Sequence, residues 1–264
     1  MRQSEISDFL ESIAPLHLAE SWDPVGWLVG DPSAHVERVM TCLTVSPVTV
    51  EEAVSRKVNL IVSHHPIPFR PVARLTTGDY TGNLLWRLAG AGIGVFSLHT
   101  AWDSAPQGIN QQLAEAAGCR DIRPLIPRAD LLDGAGSGRA GSLAEPVPVA
   151  ELLWRLRQVT GTHFAWQHVG ALERTVSRVA FGCGAGGSFL DAARRSDCEL
   201  LVTGEASFHT CLEADSTGLS MLLLGHYASE RFAVESLAAH VQKAFPALRV
   251  WASELETDPV VGPK

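Results

Sequence analysis

Two histidines stand side by side in the stretch LIVSHHPIPF, from Leu60 to Phe69, where a short apolar run reads as a buried strand that stops before Pro66. Neighbouring side chains on a strand point to opposite faces. Where the chain breaks at the proline, both rings can instead turn toward one site. Two later apolar runs also end at a histidine, each followed four residues on by a carboxylate. These pairs are His99 with Asp103 in GVFSLHTAWD and His226 with Glu230 in MLLLGHYASE. Imidazole nitrogens with carboxylate oxygens suit borderline divalent metals such as Zn, Fe, Mn, Co or Ni. The set is larger than one closed structural zinc requires. It suits two metal ions sharing a bridging carboxylate, with positions left for water. Each member alone has a plain structural account, since a histidine at a strand end usually serves as a hydrogen-bonded surface or core residue. A His-x-x-x-Glu pair can equally be two facing groups in a first helical turn. The constellation favours metal binding over its parts.

The elements that must position these groups repeat along the chain. RVMTCLTVSPVTVEEAVSRKVNLIVSHH, from Arg38 to His65, aligns without a gap on RVAFGCGAGGSFLDAARRSDCELLVTGE, from Arg178 to Glu205, at an offset of 140. Both read as strand, turn, helix, strand, the pattern of parallel strands joined by a right-handed crossover. The expectation is an α/β chain of two similar lobes with mostly parallel sheets and a metal site between them. The first lobe spans 1–126 and the second 149–264, joined by a Gly-, Pro- and Ala-rich connection at 127–148. A helix at VAELLWRLRQVTG opens the second lobe, with Leu152, Leu153, Leu156 and Val159 at near-helical spacing. The polar tail beyond Trp251 is expected to be mobile. In open parallel sheets ligands gather at the carboxyl ends of the strands, where all the candidate groups fall.

Composition narrows the class of protein. The 264 residues carry 46% hydrophobic and 19% charged side chains, ordinary for a globular protein, and a net charge of −8 argues against a nucleic-acid-binding surface. The acidic, amphipathic N-terminus does not read as a targeting segment, and an 18-residue apolar run is absent. Five scattered cysteines without a CxxC pair fit reduced, buried thiols and a cytoplasmic setting.

Three further segments compete for a role. GCGAGG, Gly182 to Gly187, matches GxGxxG after an apolar strand. It reads as a tight strand-to-helix turn, with an anion or dinucleotide phosphate at the following helix as the alternative. SWDPVGWLVGD, Ser21 to Asp31, implies a shaped loop whose Trp22 and Trp27 either line a pocket or cover core. In TGEASFH, Glu205 and His209 are candidates for orienting metal ligands, or are solvated turn residues.

Taken together, WDPVGWLVGD, LIVSHHPIPF, LHTAWDSAPQGINQQLAEAAG, GRAGSL, CELLVTGEASFH and GHYASE resemble the NIF-three-like dinuclear metal-centre family, whose members are described as GTP cyclohydrolase I type 2 homologues. The resemblance covers nearly the whole chain. It implies two divalent metals held by His64, His65, Asp103, His226 and Glu230, with Glu230 as the bridge and His99 in the pocket or behind the ligands. It also implies a toroidal homohexamer with sites facing an interior cavity. The function it implies is a metal-dependent hydrolase in which metal-bound hydroxide attacks a small-molecule substrate, with a nucleotide such as GTP as the candidate. A non-catalytic metal-binding or regulatory assembly is the alternative, and a dinucleotide oxidoreductase ranks behind both. The chain departs from the family pattern at Pro24, where Asn is usual, and at Glu205, where Asp is frequent. Both departures bear on the substrate pocket rather than on the implied ligands.

Overall fold

The computed structural model describes residues 1–128, 134–161 and 167–260. In chain order the elements are α1 (Gln3–Ile13), β1 (Gly26–Val29), β2 (Arg38–Cys42), α2 (Pro47–Ser55), β3 (Leu60–Ser63), α3 (Tyr80–Gly90), β4 (Gly94–Ser97), α4 (His99–Ser104) and α5 (Ile109–Ala116). There follow β5 (Arg120–Pro127), β6 (Gly136–Pro148), α6 (Val149–Thr160), β7 (Gln167–Val169), β8 (Thr175–Gly182), α7 (Leu190–Arg195), β9 (Leu200–Thr203), α8 (Phe208–Thr217), β10 (Ser220–Leu223), α9 (His226–Ala244) and β11 (Arg249–Ala252). The chain forms two compact units: Met1–Trp102 with Ala233–Thr257, and Asp103–Phe232 with Asp258–Lys264.

The first unit holds a five-stranded sheet in the order β1-β4-β3-β2-β11. β11, β2, β3 and β4 run parallel, and β1 adds to β4 antiparallel. Every residue of β3 and β4 is buried, as expected of central parallel strands covered on both faces. The sequence dictates the helix between β2 and β3: Ser46 accepts from the Thr49 amide at 3.3 Å and Pro47 takes the first helical position.

The second unit holds a six-stranded sheet in the order β5-β6-β8-β9-β10-β7. β8, β9 and β10 are parallel, while β5, β6 and β7 pair antiparallel. Residues 127–148, expected as a connection, include the 13-residue strand β6, and residues 129–133 lie outside the described residues. On α6 the buried stripe is Val149, Leu152 and Leu156, while Val159 is 42% exposed, so the apolar face stops a turn earlier than its spacing predicts.

The internal repeat extends to fine detail. Val39 pairs with Leu60 and Val179 with Leu200, so the offset of 140 holds in strand register. Lys57 and Asp197 share a left-handed backbone, φ +55° and +54°. The Asn59 side-chain oxygen accepts from the Glu37 and Arg38 amides, both at 2.9 Å, just as a Glu199 oxygen accepts from Ser177 and Arg178 at 2.6 and 3.2 Å.

The tail does not behave as its polarity predicts. Glu52, fully buried, accepts from the Trp251 indole at 3.1 Å, the Ser253 hydroxyl at 2.6 Å and the Glu254 and Leu255 amides, both at 3.2 Å. One carboxylate on α2 therefore anchors residues 251–255. A buried charge is tolerated because several donors converge on it.

Candidate metal centre

In the first unit β3 ends at Ser63, and His64 and His65 continue past it, donating their amides to Cys42 and Leu43 carbonyls at 2.9 and 2.8 Å. His99 opens α4 directly beyond β4 and donates its amide to the His64 carbonyl at 3.1 Å. Ring centroids are 5.1 Å apart for His64 and His65, 5.2 Å for His64 and His99, and 5.5 Å for His65 and His99. One nitrogen from each ring lies within 4.8 Å of the other two. The adjacent histidines thus leave the alternation of the strand and converge. His99 has φ +27°, a conformation L residues rarely adopt, and such outliers concentrate at functional sites.

Oxygen partners brace two of these rings from behind. His99 Nδ1 lies 2.7 Å from Asp23 Oδ1, and the other Asp23 oxygen accepts from the Thr100 amide at 3.0 Å and from the Thr100 hydroxyl. Burial raises the Asp23 carboxyl, but the bonds from His99 and Thr100 outweigh it and hold the pKa below the usual value. His65 Nδ1 lies 2.7 Å from the Thr44 hydroxyl. Partners of this kind set the tautomer and orientation of metal-binding imidazoles. Trp22 and Phe69, both exposed, stand beside His99 with their rings 5.9 Å apart. Trp27 instead packs edge-on against Phe96 at 5.5 Å and donates to Ser7, so it covers core.

In the second unit His226 opens α9. Its Nε2 is 3.2 Å from Glu230, one turn on, and its Nδ1 is 3.0 Å from Glu205. Glu230 is buried, and its hydrogen bond to the ring is the chief reason His226 is raised to about 9; burial opposes this and Glu205 adds to it. Asp103 Oδ1 accepts from the Cys183 thiol at 3.2 Å, and Asn110 ties the Asp103 carbonyl to the Cys183 amide. Burial first, then the charges of Asp103 and Glu230, push the Cys183 thiol well above its usual pKa, so it is a neutral donor here. His209, on α8, is exposed and rests against the Phe208 ring at 5.7 Å.

The glycine run has a packing role in this unit. A Cβ on Gly184, φ +57°, would stand 2.2 Å from Glu230 Oε1, and one on Gly182 would stand 2.4 Å from the Phe189 ring. Gly184 also donates its amide to Ser229 at 2.9 Å. The run is a tight turn folded against the Glu230 carboxylate. The helix after it, α7, has only six residues.

The family profile for Duf34/NIF3 (NGG1p interacting factor 3) matches residues 1–259. The chain belongs to the Duf34/NIF3 family. It is 32% identical to a protein NIF3 homolog of Schizosaccharomyces pombe, over 97% of this chain and 96% of the relative. It is also 32% identical to a GTP cyclohydrolase 1 type 2 homolog of Streptomyces coelicolor, over 98% of this chain and 93% of that one. A Bacillus cereus protein related to NIF3 shares its fold at a TM-score of 0.90, with 21% identity and coverage of 100% of this chain and 99% of the other.

The donors of this Duf34/NIF3 chain fit divalent metal. Three clustered imidazoles in one unit, and an imidazole with a buried carboxylate in the other, are borderline nitrogen and hard oxygen ligands of the right types. Sequence reasoning singled out the histidines and their i+4 carboxylates, of which the described residues show Glu230 against His226 and Asp103 against Cys183. It missed Asp23, although WDP was singled out for its tryptophans, and it missed Thr44 and Cys183, which carry no signal beyond their position after a strand.

Proposed function

We propose that this Duf34/NIF3 chain is a metal-dependent hydrolase acting on a nucleotide-class small molecule. In this reading His64, His65, Asp103, His226 and Glu230 would hold two divalent ions. The convergence of three imidazoles, two of them braced by Asp23 and Thr44, carries the proposal. Curated relatives named GTP cyclohydrolase 1 type 2 homologs support GTP as the first substrate to try. Bound metal supplies Lewis acidity and water activated at neutral pH.

The chain's own groups do the rest. With Nδ1 engaged by Asp23, His99 takes and returns a proton at Nε2, and the buried Asp23 carboxylate stabilises the imidazolium that results. Glu205 keeps the His226 ring in place through Nδ1. Trp22 and Phe69 offer exposed aromatic surface beside His99 for a planar base.

The test is turnover of GTP, other nucleotides and phosphoesters by the metal-loaded protein. Activity lost in Asp103→Ala and Glu230→Ala, with the fold retained and no rescue by added metal, is the expected result. A loaded protein that turns over nothing in the panel would instead be a metal-binding protein without hydrolase activity.

A further inference from the structure

The C-terminal segment reaches the histidine cluster of its own unit. Glu256 lies two residues beyond the Glu254 amide that Glu52 anchors, and its own amide donates to Ser253 Oγ at 3.2 Å. Its carboxylate accepts from the Leu43 amide at 2.9 Å and the Thr44 amide at 2.7 Å. Those two residues form the turn leaving β2. Leu43 also accepts the His65 amide at 2.8 Å, and the Thr44 hydroxyl meets His65 Nδ1 at 2.7 Å. A carboxylate over two successive amides is a charge-assisted clamp on the short turn between β2 and α2.

We propose that Glu256 is a positioning residue for His65. Its carboxylate fixes the Leu43–Thr44 turn, and the Thr44 hydroxyl accepts from His65 Nδ1–H, making Nε2 the atom that meets metal. The metal part of this proposal rests on the ligand reading of His65 given above. The tautomer part does not. A tail beyond the last strand thereby becomes part of the site, which no motif around the histidines would show.

The experiment uses the full-length protein and three variants, Glu256→Gln, Thr44→Val and Thr44→Ser, with folding checked by circular dichroism. Zinc affinity is read by chelator competition, and the His65 tautomer by 15N spectra of histidine-labelled, metal-free protein, assigned against His65→Gln. Wild type should show the Nδ1–H tautomer at His65. Glu256→Gln and Thr44→Val should lose that preference and weaken zinc by about 10- to 100-fold, the usual effect of removing such a partner. Thr44→Ser should restore both, and the double variant Thr44→Val/Glu256→Gln should be no weaker than Thr44→Val alone. A folded Glu256→Gln that keeps the wild-type tautomer, whatever its thermal stability, would overturn the proposal and leave Glu256 as a fold anchor only. If wild type takes up no zinc, the ligand reading fails, and the tautomer spectra alone decide the role of Glu256.

Discussion

The His226 ring contacts a carboxylate at each nitrogen, Glu230 on one side and Glu205 on the other, and with its pKa near 9 it carries a proton at neutral pH. The sign follows from linkage. This raised pKa stabilises the metal-free fold fully below the ordinary value of 6.5, and the contribution is lost as pH rises through about 9. A metal bound by His226 would have to displace that proton. Calorimetry at pH 7 in buffers of different ionisation enthalpy should find proton release on metal uptake, with apparent affinity rising toward pH 9. Release should shrink in Glu205→Gln, and uptake with unchanged protonation would count against His226 as a ligand. Gly184 gives a second test at this scale, because an added Cβ would run into Glu230 at a left-handed backbone position. Gly184→Ala should cost about 1–2 kcal/mol in urea unfolding from the backbone alone and should weaken metal binding as well. The candidate ligand types were legible because each motif is local. Asp23 and Thr44 were not, since they meet their histidines across 76 and 21 residues of sequence.

At the scale of elements the repeat was legible because its strands and crossover helix keep one offset, and the structure preserves it to the pairing register. The histidine pairs show where that reading slips. Gly94 pairs with Leu60 and Ser220 with Leu200, so in strand register His226 falls one residue past the counterpart of His99. The counterpart of His99 is Gly225: their amides bond the His64 and Gly204 carbonyls, and both have positive φ, +27° and +87°. The turn after the strand demands that conformation. One unit meets it with glycine and places its histidine next, while the other places the histidine itself there. The anchored tail was equally hidden, because polar composition says nothing of Glu52 waiting on α2. Burial raises the Glu52 carboxyl, but its donors from Ser253, Glu254, Trp251 and Leu255 outweigh this and leave its pKa lowered. Its stabilisation is therefore present above the ordinary value of 4.5 and lost as pH falls through the folded pKa. Glu52→Ala should destabilise by about 1–3 kcal/mol at pH 7, since the buried Ser253 hydroxyl loses its acceptor. Hydrogen exchange at residues 253–256 should quicken with it. The gap between wild type and Glu52→Gln should narrow below pH 4.5. Unchanged exchange in the tail would contradict the anchoring role.

Over the whole molecule the candidate ligands divide between the two units, His64 and His65 in one and Asp103, His226 and Glu230 in the other. Each unit carries imidazole just past the end of a parallel strand, where ligands gather in open sheets, although the repeat sets no histidine of one unit on a histidine of the other. None of the helices among the described residues is long and apolar enough to cross a membrane. Family membership was legible in the sequence because its motifs recur along nearly the full length, and the match over residues 1–259 bears that out. The proposed function requires that the chain take up two divalent metal ions through these candidate residues. Elemental analysis of protein purified without chelators, beside folded His64→Ala and His226→Ala variants, tests it most directly. About two ions per chain in wild type, with substantial loss in both variants, is the predicted result. No metal after incubation with Zn, Mn, Fe and Co, or a content untouched by either substitution, would contradict the claim.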